Sequence, residues 1–216
     1  MADFYHCIAS EGGRHIIHEV DIGGGAIRKE RYIGVRLGVS WPTQKAKGAY
    51  VVLGQPVQDR LDAFSPPLTL LDEYEYNGLS LDEFFGRLTD SYSLLSCEII
   101  YCDTDNQSLY TAFLDYLDRH RLGYVTTIGA PYLKDFFAGI SVANDWLTAR
   151  KLELHKDSLT RAELRSISRE DLRQEPELRF PLANALRFAI AGFRKFPARP
   201  PITIGRSFDV NHGWML

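Results

Sequence analysis

The residues best placed for chemistry sit at the end of a short apolar run. Cys97 to Cys102 is followed at once by Asp103-Thr104-Asp105-Asn106, the pattern of a buried strand that delivers polar groups at its carboxyl end. Hard divalent cations require carboxylate oxygens. Asp103, Asp105 and Glu73 could supply them as a one-metal site, with Glu73 or Glu75 ending a neighbouring strand-like run. The same turn also reads as a helix cap, in which side-chain oxygens accept backbone amides, and such clusters cap helices more often than they bind ions.

A second chemistry lies towards the end of the chain. Between Leu178 and Phe208 stand Arg179, Arg187, Arg194, Lys195, Arg199 and Arg206 with no Asp or Glu, although the whole chain carries a net charge of −3. Phe180, Phe188, Phe193, Phe196 and Phe208 interleave with them. That composition suits a phosphate-facing strip with stacking aromatics. It equally suits a terminal amphipathic helix with core phenylalanines and solvated arginines, and periodicity favours the second reading.

Other chemistries are not encoded. The six histidines form no H-E-x-x-H or H-x-x-E-H pattern and no G-x-S-x-G elbow occurs, which removes the common zinc-hydrolase and serine-hydrolase signatures. Cys7, Cys97 and Cys102 contain no C-x-x-C pair, so neither a disulfide framework nor a zinc site is indicated. No run of eighteen apolar residues and no basic-then-apolar start is present, so the chain is expected in the cytoplasm and off the membrane. Asp21-Ile22-Gly23-Gly24-Gly25 invites comparison with the phosphate loops of actin-like kinases, but the charged segment that follows fits a hinge as well.

The elements that must position these groups come in an informative order. Phe4 to Ala9 and His15 to Val20 flank a Gly12-Gly13 turn and predict an N-terminal β-hairpin arm over residues 1–31, ending in a Gly-rich linker. Tyr32 to Trp41, Gly48 to Gly54 and Leu68 to Glu75 then read as three successive strands. Ser80-x-x-Glu83 is a capping box opening a helix. Cys97 to Cys102 is a strand, Asn106 caps a helix, Tyr124 to Ile128 is the fifth strand, and a helix runs from Pro131 to about Leu147. Lys151 to His155 is a candidate extra strand and Pro181 opens the last helix, to about Phe196. Strands first and β-α alternation afterwards predict an α/β fold. Its mixed five-stranded sheet has three antiparallel strands and two parallel additions, which is the ribonuclease-H topology, over residues 32–196 with a tail at 197–216.

Local strings make the reading more specific. Tyr32-Ile33-Gly34-Val35-Arg36-Leu37-Gly38, Leu70 to Ser80, Ile99-Ile100-Tyr101-Cys102-Asp103, Lys134 with Gly139-Ile140, Leu152-Glu153-Leu154-His155 and Pro181 to Ala189 resemble, in chain order, successive segments of the nuclease domain of viral large terminases. The resemblance implies cleavage of double-stranded DNA by two divalent cations, magnesium or manganese, one activating water and one neutralising the leaving oxygen. It also implies three acidic metal-ligand positions, which here read Arg36, Asp103 and Asn184. An arginine near a cation opposes each unit of its charge by about 4 kcal/mol at 4 Å and an effective dielectric near 20. Arg36 is therefore expected to fill the metal's place and pair with Asp103. No G-x-x-x-x-G-K-[ST] motif is present, so no packaging ATPase is expected. Three functions follow as expectations. The first is a domain of viral or prophage origin with an impaired metal site, in a bacterial host's cytoplasm, that binds DNA or other packaging proteins and needs no cofactor. The second is an active metal-dependent endonuclease using Asp103 with nonstandard ligands. The third is an actin-like nucleotide-binding domain.

Overall fold

Strand β3 (Ile27–Ser40) is the spine of the molecule. The computed structural model describes residues 6–9, 16–21, 27–43, 45–57, 67–78, 80–104, 106–129, 135–168 and 176–193, with side chains from Tyr32 onward. β3 pairs antiparallel with β4 (Gly48–Pro56), which pairs antiparallel with β5 (Leu68–Tyr76). On its other edge β3 pairs parallel with β6 (Ile99–Cys102), and β6 pairs parallel with β7 (Thr127–Gly129). The spatial order β5-β4-β3-β6-β7 is the three-antiparallel, two-parallel sheet read from the sequence. A sixth strand of the domain, β8 (Leu152–Glu153), lies parallel to β5, and fulfils the expected extra strand.

The central strands read as they do because both faces are covered. Along β4, Tyr50 and Val52 enter one core cluster while Ala49, Val51 and Leu53 enter the other. Helices α1 (Leu81–Leu94) and α2 (Gln107–Arg119) close the first face with Phe84, Phe85, Leu88 and Phe113. Helices α3 (Phe136–Thr148) and α6 (Pro181–Ala191) close the second, together with the shorter α4 (Leu159–Ser166) and α5 (Pro176–Arg179).

One sequence expectation changes here. The Arg28 to Arg31 segment, read as following a linker, belongs to β3, which pairs with β2 (Ile16–Asp21) over Ile27 to Tyr32 before reaching the core. The hairpin of β1 (His6–Ala9) and β2 is hydrogen-bonded to β3 through β2. β2 and β6 share one edge of β3 in tandem. At the changeover Gly34 adopts φ 60°, and the β3–β4 register slips between Ile33 and Arg36. Glycine carries that left-handed backbone at little cost. The Gly23 to Gly25 segment lies outside the described residues.

Helix starts follow their caps. The Ser80 side chain accepts from the Glu83 amide, as expected of the box. Its reciprocal half is replaced, since the Tyr76 hydroxyl accepts from the Ser80 amide at 2.8 Å. Asn106 caps α2 through the Leu109 amide, and Asp135, four residues past the expected Pro131 start, caps α3 through the Ala138 amide.

Candidate functional site

The site is set by how closely α6 lies on β3. After the bulge Arg36, Gly38 and Ser40 alternate towards α6, while Val35, Leu37 and Val39 face α1 and α2. Gly38 has no side chain, and the α6 backbone occupies that space: a Cβ there would collide with the Ala185 carbonyl oxygen and the Ala189 amide. This contact places Asn184 over Ser40 at one end of the helix and Gly192 over Arg36 at the other.

At the first end, three polar side chains are buried in series. The Asn184 Nδ2 donates to Ser40 Oγ at 2.9 Å, and Arg187 Nε donates to Asn184 Oδ1 at 2.6 Å. Ser40, Asn184 and Arg187 are 4%, 7% and 4% exposed. Because a guanidinium only donates, the amide oxygen of Asn184 must face it, which turns the amide nitrogen to Ser40. The Arg187 stem runs where Gly139 of α3 leaves room, since a Cβ on Gly139 would stand 2.8 Å from Arg187 Cδ. Its guanidinium carbon lies 4.7 Å from the Phe188 ring centroid and 5.5 Å from that of Phe136.

Asp103 follows directly on β6. The register pairs Val39 with Cys102, so one residue further along each chain lie Ser40 and Asp103. Trp41 Nε1 holds the Asp103 carbonyl at 2.8 Å and keeps the two chains together. Past this point α2 packs on one face of the sheet and α3 on the other. Cys102 is not a nucleophile here: burial, and then the neighbouring Asp103 carboxylate, push its thiol well above the usual range.

The structure does not bring Arg36 into this group. Arg36 sits opposite Ile99, four residues before Asp103, and Gly192 is eight residues along α6 from Asn184, about 12 Å of helix. Arg36 donates to the Tyr101 hydroxyl at 3.0 Å and to the Gly192 carbonyl, and stacks over Phe193 at 5.0 Å. The expected Arg36–Asp103 ion pair is not formed. The β3 residue that meets Asn184 is Ser40, which sequence reasoning passed over. The available signal was alternation from Gly38, a strand glycine marking close backbone approach.

Nor is Glu73 a partner of Asp103. β5 and β6 are three strand spacings apart, about 14 Å. Both Glu73 oxygens are engaged by the start of α4, accepting from Ser158 Oγ at 3.0 Å, the Leu159 amide at 2.6 Å and the Thr160 amide at 2.8 Å. Asp105 lies outside the described residues, and among those described no group of three metal-ligating side chains occurs. Of the basic strip, Arg179 is exposed against Phe180 while Arg187 is buried, so Arg187 faces neither solvent nor a phosphate. Arg194, Lys195, Arg199 and Arg206 lie outside the described residues.

One further acid bears on the site. Glu163 of α4 accepts from the Ala183 amide at 2.7 Å, at the start of α6. Burial raises its pKa to about 7; the Ala183 and Leu182 amides and Lys47 oppose the rise, and Glu75 adds to it. A carboxyl raised in the folded state holds a proton that the unfolded chain has lost, so its stabilising contribution is complete below about pH 4.5 and fades through about pH 7. Stability should therefore fall by about 2 kcal/mol between pH 5 and pH 8. In urea titrations at the two pH values, Glu163→Gln should flatten that difference; an unchanged slope would remove Glu163 as its source.

Three antiparallel strands followed by parallel β-α additions, with a closing helix over the first strand, define a ribonuclease-H-like fold. The large terminase nuclease from thermophilic phage G20c has this fold, superposing with a TM-score of 0.52 at 15% identity over 84% of this chain and 90% of that one. The same nuclease with bound zinc gives a TM-score of 0.51 at 14% identity over 84% and 90%. No protein-family model matches the chain, and no curated protein matches it by sequence. Among the described residues no helix is long and apolar enough to cross a membrane.

Proposed function

We propose that this chain is a nuclease-derived nucleic-acid-binding domain of viral or prophage origin, in which the divalent-cation site is impaired and double-stranded DNA or a packaging protein is bound without cleavage. The observation that carries this reading is the buried chain from Ser40 through Asn184 to Arg187. A cation held by Asn184 Oδ1 would displace the arginine's hydrogen bond. It would also lie about 4 Å from a guanidinium with little solvent to screen it, at about 4 kcal/mol per unit of cation charge even for an effective dielectric near 20. Both ends of the Asn184 amide are already engaged, and Ser40 brings no negative charge. Magnesium or manganese therefore does not suit these residues, and no hydrolytic step is assigned to them.

Binding remains open to the domain. Asp103 and Thr104 follow the carboxyl end of β6, and Arg179 is exposed beside the start of α6. Arg179, Arg194, Lys195, Arg199 and Arg206 are the bases assigned to phosphate contact in this reading. The test is incubation of the full chain with supercoiled plasmid and excess manganese, alongside a salt series of DNA binding. Retention of plasmid without nicking, weakening steeply with salt, is the expected result. Manganese-dependent nicking that Asp103→Ala abolishes would overturn the reading and establish the endonuclease instead.

A further inference from the structure

We infer that α4 is a proton-sensitive clasp on the start of α6, closed while Glu163 carries a proton and opened, with the sheet still folded, once Glu163 is ionised. α4 has eight residues, too few for a helix to persist in water by itself. Its place is therefore set by what holds it, and two carboxyl groups do so in series. Glu73 of β5 accepts from the Ser158 hydroxyl and from the Leu159 and Thr160 amides at the start of α4. Glu163, one turn further along α4, accepts from the Ala183 amide at the start of α6. Leu164 and Ile167 add a small apolar contact with the cluster of Phe136, Ile140, Phe180 and Ala183.

The second link is the sensitive one, because few cations face it. β5 brings Glu75 to Glu163 and the residues before β4 bring Lys47, but the Lys47 ammonium already bonds the Glu75 carboxylate. An ionised Glu163 is thus a second carboxylate sharing one ammonium. Arg187 of α6 is directed at Asn184 and Phe136, and Arg179 of α5 lies over Phe180. On α4 itself Arg161 and Arg165 stand two residues either side of Glu163, and so on other faces of the helix. Burial lifts the carboxyl to about 7 in spite of the Ala183 and Leu182 amides, which favour the anion, and Glu75 adds to the rise. The docked helix therefore binds the proton more tightly than the released one. Its advantage is complete below about pH 4.5 and is lost as pH rises through about 7.

The experiment is amide hydrogen exchange of the full chain, expressed as protection factors at pH 6 and pH 8 so that the change in intrinsic rate cancels. Amides of α4, and that of Ala183, should be about tenfold or more less protected than those of β4, because they exchange through the opening of the clasp alone. Their protection should fall about tenfold between the two pH values. Glu163→Gln keeps an oxygen for the Ala183 amide and should abolish that fall. Glu75→Gln removes the competing carboxylate and should move the midpoint of the fall to lower pH, a shift that a contact without a titrating proton does not produce. An α4 as well protected as β4 would confine Glu163 to global stability and overturn the clasp. A fall that persists in Glu163→Gln would assign the proton to another group and overturn it equally.

Discussion

Gly38→Ala should leave the chain largely unfolded, or cost about 3–5 kcal/mol where folding survives. The Cβ would meet the α6 backbone at the Ala185 carbonyl and the Ala189 amide, with Ala189 Cα at 3.0 Å. No flexible side chain can swing aside. The helix itself must lift from β3, taking Leu182, Ala185, Leu186 and Ala189 out of the core they form with Val51 and Leu53. Domains of this size are stable by about 5–15 kcal/mol, so the loss is a large share. Gly123→Ala is the control, since a Cβ there meets nothing within 4 Å. It should change stability by less than about 1 kcal/mol. Urea unfolding followed by far-ultraviolet circular dichroism reads both. A folded, wild-type-like Gly38→Ala would mean that α6 does not rest on β3 as described.

Arg187→Ala comes next, at about 3–4 kcal/mol. Truncation opens a cavity beside Gly139 and leaves the Asn184 oxygen buried without its donor. Arg187→Met should restore part of the loss, because the stem fills the same notch without supplying the hydrogen bond. A double-mutant cycle with Asn184→Ala should give a coupling of about 1–3 kcal/mol. Additive losses would show that the two side chains act independently, and would remove the buried chain as a unit.

The fold was legible because its signals are local. Apolar runs set the strands, Ser80 and Asn106 announced their helices, and the order of elements allowed few topologies. The candidate site was less so, because each misreading turned on something distant or invisible along the chain. The irregular step at Gly34 and the direction of α6 decide that Ser40, and not Arg36, meets Asn184. Glu73 looked like a ligand because its partner, the start of α4, lies 85 to 87 residues away. Arg187 stood in a run of bases without acids, which suggests solvent or phosphate. Yet every residue of α6 is buried, and the space for its side chain is made by a glycine on another helix.

That helix also gives Arg36 a purpose unrelated to metals. An α-helix carries partial positive charge at its start and partial negative charge at its end, and water normally answers both. α6 is buried along its whole length, so the answer must come from the protein. Glu163 supplies a carboxyl oxygen to the Ala183 amide at its amino end and Arg36 a guanidinium to the carbonyl of Gly192 at its carboxyl end. An aspartate at position 36 would aim its charge at the negative pole of a helix with little water to screen it. The arginine is thus the electrostatic condition for burying α6 whole.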